Sequence, residues 1–210
     1  MLPIPSFVGE FFRNPATVGS LIPSSKELTN KVTEPIDFAN ASCIVEYGPG
    51  TGVFTDILIQ RRKAETVVVL VEVNRRFAQL LRERYAGQPN VHVFHGSADQ
   101  TGQYLQKIGF VGQVDYVLCG LPFSSLPRRL GWRILEHTRQ ILLPSGKLIL
   151  FQYSLQNKRL FGKFFHQLDE AHVLLNLPPA YVLVYEPTPE VPTAPARAEQ
   201  EKLVSSNAGS

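Results

Sequence analysis

Short apolar runs alternate with longer amphipathic stretches along most of the chain. Five runs rich in Val, Ile and Leu have the length of β-strands, at 42–48, 66–73, 91–96, 114–121 and 147–153. The stretches that separate or follow them have helical periodicity, at 53–62, 74–86, 99–108, 128–142 and 157–168. Two of the strand-like runs are almost continuously apolar, which is typical of parallel strands covered on both faces. The alternation predicts an α/β fold built on a doubly wound, mostly parallel sheet.

The end of the chain departs from this alternation. Two apolar runs within 171–187 are separated by Pro178 and Pro179, and a Pro-Pro pair between such runs is a turn signal. Strands joined by so short a turn pair in antiparallel fashion, so we predict a seven-stranded sheet whose last strand is antiparallel. The final residues are rich in Pro, Ala, Glu and Ser, which predicts a disordered tail. The chain therefore divides into an N-terminal helical cap, a domain and a tail, at 1–39, 40–186 and 187–210.

Composition is typical of a single-domain protein from a reducing compartment. The 210 residues include 21 Lys and Arg against 18 Asp and Glu, a net charge of +3. So small a surplus argues against a surface that binds nucleic acid throughout, although a local basic patch stays open. Two cysteines are too few for a disulfide framework, and no run reaches the roughly 18 apolar residues of a membrane span. We expect a cytoplasmic protein that can associate with the inner face of the membrane.

A glycine-rich segment, VEYGPGTG at 45–52, lies at the end of the first predicted strand and the start of the next helix. Its glycines allow a tight turn and a close approach of the backbone to a ligand, and the helix that follows presents free N–H groups. The loop lacks the Gly-Lys-Ser/Thr of a phosphate-binding loop, and Val53 stands where the dinucleotide fingerprint requires glycine. We predict that this segment binds a cofactor through Glu46, Tyr47, Gly48, Pro49, Gly50, Thr51 and Gly52.

Three further motifs follow the next three predicted strands. Glu72 and Val73 end the second strand, where an acidic side chain can accept hydrogen bonds from both hydroxyls of a ribose. The third strand is followed by Ser97-Ala98-Asp99, suited to contact with an adenine ring, and the fourth by Gly120-Leu121-Pro122-Phe123. Open α/β sheets bind ligands at the carboxyl ends of their strands. We therefore expect all four motifs to converge on one edge of the sheet.

Taken in order, these motifs resemble those of the class I S-adenosylmethionine-dependent methyltransferases, which have a Rossmann-like sheet. Glu46 with GPGTG is similar to their first motif, Glu72 to their ribose-binding acid, and 97–99 to their adenine-contacting segment. The resemblance covers about 40–186 of the chain. It implies S-adenosyl-L-methionine as the cofactor, with Gly120 contributing to its binding, and it implies no metal.

A narrower resemblance lies at the N-terminus and after the fourth strand. FRNPATVGS at 12–20 with IPSS at 22–25, and GLPF at 120–123, are similar to bacterial phosphatidylethanolamine N-methyltransferases. That subgroup is related to ribosomal RNA adenine dimethylases, which have Asn in place of Gly120 and carry a helical RNA-binding domain after the sheet. Both differences favour N-methylation of phosphatidylethanolamine at the membrane surface. The alternatives are methylation of RNA adenine at N6 and a catalytically inactive cofactor-binding interaction module.

Two sets of residues are candidates for contact with the acceptor and the membrane. The candidate catalytic residues are Tyr153, Gly120, Leu121 and Pro122. An apolar stripe with a neighbouring base is typical of a short helix that lies on a membrane, and it consists of Phe7, Phe11, Phe12 and Arg13. The same stripe is equally compatible with packing on the sheet or over the cofactor. Eight Lys and Arg against one Glu give 121–163 a charge of +7, which suits anionic lipid and RNA phosphates alike.

Overall fold

The computed structural model describes residues 26–176 and 178–189. The strands in these ranges are β1 (Cys43–Tyr47), β2 (Val67–Glu72), β3 (Val91–His95), β4 (Val114–Cys119), β5 (Leu142–Gln152), β6 (Phe165–Val173) and β7 (Ala180–Pro187). The helices are α1 (Lys26–Thr33), α2 (Val53–Arg61), α3 (Arg75–Arg84), α4 (Thr101–Lys107), α5 (Arg128–Ile141) and α6 (Lys158–Phe161). A 3₁₀ turn at Ala98–Gln100 precedes α4.

One sheet holds the described part of the chain together, with its strands in the order β3-β2-β1-β4-β5-β7-β6. Neighbouring strands from β3 to β5 run parallel, whereas β7 runs antiparallel to both β5 and β6. The reversal follows from the short β6–β7 connection, because a turn of a few residues joins antiparallel strands. The predicted α/β fold, a doubly wound, mostly parallel seven-stranded sheet with an antiparallel last strand, is confirmed.

Helices cover both faces of the sheet, so the strands are apolar on both sides. On one face, Leu28 and Val32 of α1 are buried in the same cluster as Ile44 of β1. On the other face, Ile134 of α5 is buried in the same cluster as Val45 of β1. Consecutive residues of β1 therefore enter two different cores, which explains why the strand is apolar from Cys43 to Val45.

The predicted helix over 157–168 is wrong for most of its length. α6 ends at Phe161, and the chain enters β6 at Phe165. Phe161, Phe164 and Phe165 are all buried, and their spacing imitates one stripe of a helix. β6 pairs with β7 from Phe165, opposite Pro187, to Val173, opposite Ala180. Pairing with β7 gives hydrogen-bond partners to one side of this edge strand, and this tertiary context outweighs the local periodicity.

The carboxyl ends of β1 to β5 meet at one edge of the sheet, which we call the carboxyl edge. The β6–β7 turn lies at this edge too, because Gln152 at the end of β5 pairs with Tyr181 and Val173 pairs with Ala180. The predicted motifs lie at or just after the ends of these strands, at 45–52, 72–73, 97–99 and 120–123. The predicted membrane-contact residues lie outside the described residues: Phe7, Phe11, Phe12 and Arg13.

Candidate active site

The glycine-rich loop turns sharply at the end of β1 and leads into α2. Gly48, Gly50 and Gly52 have φ angles of 67°, 58° and 90°, a region that disfavours side chains. Gly52 is required on steric grounds as well, because a Cβ there would lie 2.7 Å from Tyr85 Oη. Its N–H donates to the Pro49 carbonyl oxygen at 2.9 Å. At Gly50 no atom lies within 4 Å of where a Cβ would be, so the loop backbone faces open space.

Glu72 supports this loop from the end of β2. The Gly50 N–H donates to Glu72 Oε2 at 3.0 Å, and the Asn74 N–H donates to Oε1 at 2.8 Å. The side chain is buried, and burial raises its pKa although these N–H groups partly offset the effect. Each carboxylate oxygen has a second lone pair. Glu72 therefore keeps acceptor capacity beyond these backbone bonds, which suits it to accept from the hydroxyls of a ribose.

Glu46 and Tyr47 position the loop from beneath. Thr55 Oγ1 donates to Glu46 Oε2 at 2.6 Å and ties β1 to the first turn of α2. Burial raises the pKa of Glu46 to about 8, against the effect of the Thr55 hydrogen bond and with help from the charge of Glu72. The carboxyl is therefore protonated near neutral pH. The ring of Tyr47 lies in the core, where Thr138 Oγ1 donates to its hydroxyl at 3.3 Å. Only the backbone of Tyr47 is therefore available at the carboxyl edge.

The turn after β3 carries the segment predicted to contact adenine. Arg133 Nε, on α5, donates to Asp99 Oδ2 at 2.9 Å. Burial opposes ionisation of Asp99, but hydrogen bonds from Ser97 and Arg133 outweigh it and lower its pKa. Ala98 is buried, whereas Val73 at the end of the neighbouring β2 is 71% exposed. The edge thus presents an ionised carboxylate and an uncovered apolar side chain on adjacent strands.

The end of β4 lies directly beside the glycine-rich loop. The Gly120 N–H donates to the Tyr47 carbonyl oxygen at 3.0 Å, and a Cβ on Gly48 would lie 3.1 Å from Leu121 Cδ2. Gln152 Nε2, at the end of β5, donates to the Leu121 carbonyl oxygen at 2.9 Å. These contacts fix the motif after β4 relative to the loop after β1.

Tyr153 and Pro122 complete the predicted acceptor side. Burial raises the pKa of the Tyr153 phenol, and a side-chain hydrogen bond with Asn176 from the β6–β7 turn opposes this rise. The phenol is therefore neutral at physiological pH and offers a hydroxyl group rather than a basic oxygen. The Pro122 carbonyl oxygen accepts a hydrogen bond from the Ser125 N–H at 2.8 Å, which closes the turn after β4. Both residues lie at the carboxyl edge.

The predicted site residues within the described ranges converge on this edge. The cleft between α1, α2 and β6 has a different lining and contains none of them; it is bounded by Glu27, Asn30, Lys31, Glu34, Arg61, Ala171, His172 and Val173.

The same residues also bear on two other kinds of feature, metal sites and membrane spans. No group of three or more His, Cys, Asp or Glu side chains among the described residues is arranged to hold a metal ion. Across 26–176 and 178–189, no helix combines the length and the apolar character needed to cross a bilayer.

Comparison with known proteins identifies the family. A family model for ribosomal RNA adenine dimethylase matches residues 13–125. The ornithine lipid N-methyltransferase of Singulisphaera acidiphila is 34% identical to this chain, over 83% of the chain and 91% of that enzyme. This chain belongs to the ribosomal RNA adenine dimethylase family of class I methyltransferases. It is therefore an S-adenosylmethionine-dependent methyltransferase, and the predicted family and cofactor are confirmed.

Other members and structural neighbours extend this comparison. The ribosomal RNA small subunit methyltransferase A of a Synechococcus species is 26% identical over 76% of this chain, and the match spans 55% of that enzyme. The crystal structure of an S-adenosylmethionine-dependent methyltransferase from Aquifex aeolicus matches 89% of this methyltransferase and 100% of its own chain. Its TM-score is 0.61 at 14% identity, so this likeness establishes the fold alone.

The carboxyl edge fits the cofactor of the family. The bare backbone at Gly50 leaves room for close approach, and the spare lone pairs of Glu72 would hold the ribose hydroxyls. Exposed Val73 and ionised Asp99 would border the adenine. When bound, S-adenosylmethionine supplies an electrophilic methyl group on a sulfonium sulfur. The methyltransferase itself would supply orientation, because the hydrogen bond from Gly120 ties the motif 120–123 to the glycine-rich loop 45–52. We call these two segments the acceptor motif and the cofactor loop.

Several residues that shape this site escaped the sequence analysis. Asn74 accepts hydrogen bonds from two backbone N–H groups of α3 as its N-cap, and its place between a strand and a helix is a signal that could have found it. Arg84 Nη1 donates to the Thr51 carbonyl oxygen at 2.9 Å and so braces the loop. Arg133 and Gln152 act across long sequence separations. Nothing in the local sequence around these last three residues indicates their partners.

Proposed function

We propose that this methyltransferase transfers methyl groups to the amine nitrogen of a membrane lipid, with phosphatidylethanolamine and ornithine lipid as the candidate acceptors. The observation that carries the proposal is the match to an ornithine lipid N-methyltransferase at 34% identity over 91% of that enzyme. The ribosomal RNA enzyme is less similar, at 26% identity over 55% of its length. Both candidate lipids present an aliphatic amine on a headgroup, so the chemistry required of the site is the same.

In this proposal, the cofactor lies across the ends of β1, β2 and β3. The loop 48–52 contacts it through backbone groups, Glu72 binds its ribose, and 97–99 borders its adenine. Glu46 and Tyr47 position the loop, because the carboxyl of Glu46 bonds Thr55 and the ring of Tyr47 lies in the core. Methyl transfer then requires alignment of the acceptor nitrogen with the methyl group at about 3–3.5 Å.

The acceptor side favours an amine that arrives without its proton. The connections that follow β4, β5 and β6 contain no Asp, Glu, His, Lys or Arg, at 120–127, 153–157 and 174–179. An ammonium group that enters such surroundings loses hydration, so its pKa falls and the proton passes to bulk water. The neutral amine that remains has the free lone pair that methyl transfer needs. Tyr153, as a neutral phenol, can hold this nitrogen by a hydrogen bond.

The same edge has features that suit contact with a membrane. Leu174 and Leu175, in the β6–β7 turn, are 65% and 80% exposed. Arg128 and Arg129 are exposed in the first turn of α5, which starts at this edge and contains no acidic residue there. Apolar side chains flanked by arginines are suited to the interface of an anionic bilayer. We propose that the carboxyl edge faces the cytoplasmic surface of the membrane, together with the stripe at Phe7, Phe11, Phe12 and Arg13.

Methylation of RNA adenine is the second candidate function. The family model for ribosomal RNA adenine dimethylase and the Synechococcus relative favour it. The exposed arginines of α5 suit RNA phosphates as well as lipid headgroups. Gly120 weighs against it, because an amide at this position would be the group that hydrogen-bonds the adenine amine. The two candidates therefore differ in the acceptor, and the cofactor half of the site is common to both.

The test is methyl transfer from labelled S-adenosylmethionine to three separate acceptors. These are liposomes of phosphatidylethanolamine with anionic lipid, liposomes of ornithine lipid with anionic lipid, and total ribosomal RNA. We expect label in the amine headgroup of at least one lipid, identified by mass spectrometry, and none in RNA. Label in RNA alone would overturn the proposal. Label in no acceptor, with cofactor still bound, would also overturn it and would support an inactive interaction module.

A further inference from the structure

Gly120, at the end of β4, lies against the ring of Phe151 on the neighbouring strand β5. A Cβ on Gly120 would lie 2.7 Å from Phe151 Cζ and 2.8 Å from Phe151 Cε1. Real Cβ atoms essentially never approach other atoms so closely. The phenyl ring therefore occupies the space into which a side chain at position 120 would extend, at the point where β4 ends beside the cofactor loop.

The ring of Phe151 also packs against α2. Phe54, in the first turn of α2, packs against it with a centroid distance of 4.8 Å and an interplanar angle of 45°. Phe54 is itself buried in the core between α2 and the sheet. Because Phe54 lies in the first turn of α2, two residues after the glycine-rich loop, the ring of Phe151 lies between the end of β4 and the start of α2. A residue larger than glycine at 120 cannot displace the ring without disturbing the packing of that helix.

The consequence is chemical as well as steric. At the point nearest the cofactor loop, the acceptor side presents an aromatic ring and glycine backbone, with no hydrogen-bonding side chain at position 120. An aliphatic amine needs no such group, since its lone pair is localised on nitrogen. A nucleobase amine has its lone pair delocalised into the ring and needs a hydrogen-bonding partner to localise it. An aromatic ring also attracts the alkylammonium that methylation produces, with the positive charge spread over its methyl groups.

We propose that Gly120 and Phe151 form a specificity-determining pair that admits an aliphatic amine and excludes the conjugated amine of a nucleobase. This inference rests on the proposed lipid N-methyltransferase function and assigns its acceptor preference to two residues. The ring of Phe151 lines the acceptor site. It occupies the space that a side chain at position 120 would need, and Gly120 leaves that space free.

The first test is a double-mutant cycle on stability, which does not require any activity. Gly120→Ala should lower Tm by about 5 °C, because the new methyl group overlaps the ring. In the Phe151→Ala background, the same substitution should cost about 1 °C or less, since the space is then open. An equal loss of Tm from Gly120→Ala in both backgrounds would show that the two residues do not exclude each other, and it would overturn the pair.

The second test measures acceptor preference in four proteins: wild type, Phe151→Leu, Phe151→Ala and Gly120→Asn/Phe151→Ala. We expect Phe151→Ala to lower kcat/KM for the lipid by about tenfold, while calorimetric affinity for S-adenosylmethionine changes less than about twofold. Phe151→Leu, which keeps an apolar wall without a ring, should lose less. The double variant regains an amide in the opened space and should gain transfer to adenine in RNA.

The outcomes separate this inference from the function on which it rests. If wild type methylates lipid and Phe151→Ala does so at the same rate, the inference is wrong and the proposed function stands. If wild type methylates RNA instead of lipid, both are wrong. If Phe151→Ala loses cofactor affinity in parallel with activity, Phe151 serves the cofactor loop through Phe54, and the assignment to acceptor choice is overturned.

Discussion

The carboxyl edge has two halves that are built by different means. The ends of β1, β2 and β3 are built from backbone groups, glycines with positive φ angles and acidic side chains, as in the hydrogen bonds from Gly50 and Asn74 to Glu72. At the ends of β4, β5 and β6, the connections carry no Asp, Glu, His, Lys or Arg, and the contacts are dominated by Phe151, Leu121 and Tyr153. A polar half and an apolar half meet where the Gly120 N–H donates to the Tyr47 carbonyl oxygen.

We propose that this difference lets members of one family act on different acceptors. In the proposed function the polar half binds the cofactor and the apolar half meets the acceptor. The relatives include both an ornithine lipid and a ribosomal RNA enzyme. Substitutions in the first half should therefore act on cofactor affinity, and substitutions in the second half on the choice of acceptor or surface.

The largest expected effect comes from Glu72→Ala in the polar half. The substitution removes an acceptor for two backbone N–H groups and for the ribose, so affinity for S-adenosylmethionine should fall by about a hundredfold or more. Isothermal titration calorimetry measures this directly. Glu83→Ala is the matched control, because Glu83 is exposed on α3 and hydrogen-bonds Gln79. Unchanged affinity in Glu72→Ala would show that Glu72 does not bind the ribose of the cofactor.

The next effect concerns the buried carboxyl beneath the loop. In the folded state the pKa of Glu46 is raised from 4.5 to about 8, so between these values the folded protein binds a proton that the unfolded chain has released. The contribution of Glu46 to the free energy of unfolding therefore falls as pH rises through this window, by about 2 kcal/mol between about pH 6 and about pH 8.

Glu46→Gln should remove this dependence, since the amide keeps an oxygen that can accept from Thr55 and cannot ionise. Urea unfolding of both proteins at the two pH values gives the difference. A wild-type pH dependence identical to that of Glu46→Gln would mean that the carboxyl is ionised in the folded state across this range.

A third prediction concerns membrane binding by the apolar half. Replacing Leu174 and Leu175 with Glu should weaken flotation with anionic liposomes by about tenfold, because two apolar side chains no longer enter the interface. The matched control is Val111→Glu, since Val111 is 96% exposed but lies before β4, at the opposite edge of the sheet. Cofactor affinity should be unchanged in both. Equal flotation of the two variants would exclude the β6–β7 turn as a membrane contact.

The N-terminal stripe gives a parallel measurement on the same assay. Replacing Phe7, Phe11 and Phe12 with Ser should abolish flotation while it spares cofactor affinity, if the stripe lies on the membrane. Persistent flotation would assign the contact to other parts of the protein. Lost cofactor affinity would instead support the interpretation that this segment packs over the cofactor.

The smallest effect is expected at the boundary of the polar half. Arg133→Gln removes the partner of Asp99, but Arg133 is half exposed, with a side-chain accessibility of 55%. Affinity for S-adenosylmethionine should fall by about two- to fivefold, as is typical of a partly exposed ion pair. Raising the salt concentration should reduce the difference between wild type and variant. An affinity loss as large as that of Glu72→Ala would show that Asp99 depends on Arg133 for its position.

The polar half could be predicted from the sequence because its chemistry is local. Three glycines with positive φ stand within five residues, and Glu72 ends a recognisable strand. The apolar half could not, because its decisive contacts join distant segments. Gly120 and Phe151 are brought together by the pairing of β4 with β5. The error at 157–168 has the same origin. The phenylalanines there have a helical spacing, but the segment from Phe165 forms a strand because it pairs with β7, which is distant in sequence.

The most direct test of this account is a competition between acceptors in one reaction. Wild-type methyltransferase would receive labelled S-adenosylmethionine with liposomes of an amine lipid and ribosomal RNA together, and the ratio of label in the two products would be measured. The account predicts that label accumulates in the lipid headgroup and that Gly120→Asn/Phe151→Ala shifts the ratio toward RNA. Label in RNA from the wild-type protein, or a ratio that the double variant leaves unchanged, would contradict it.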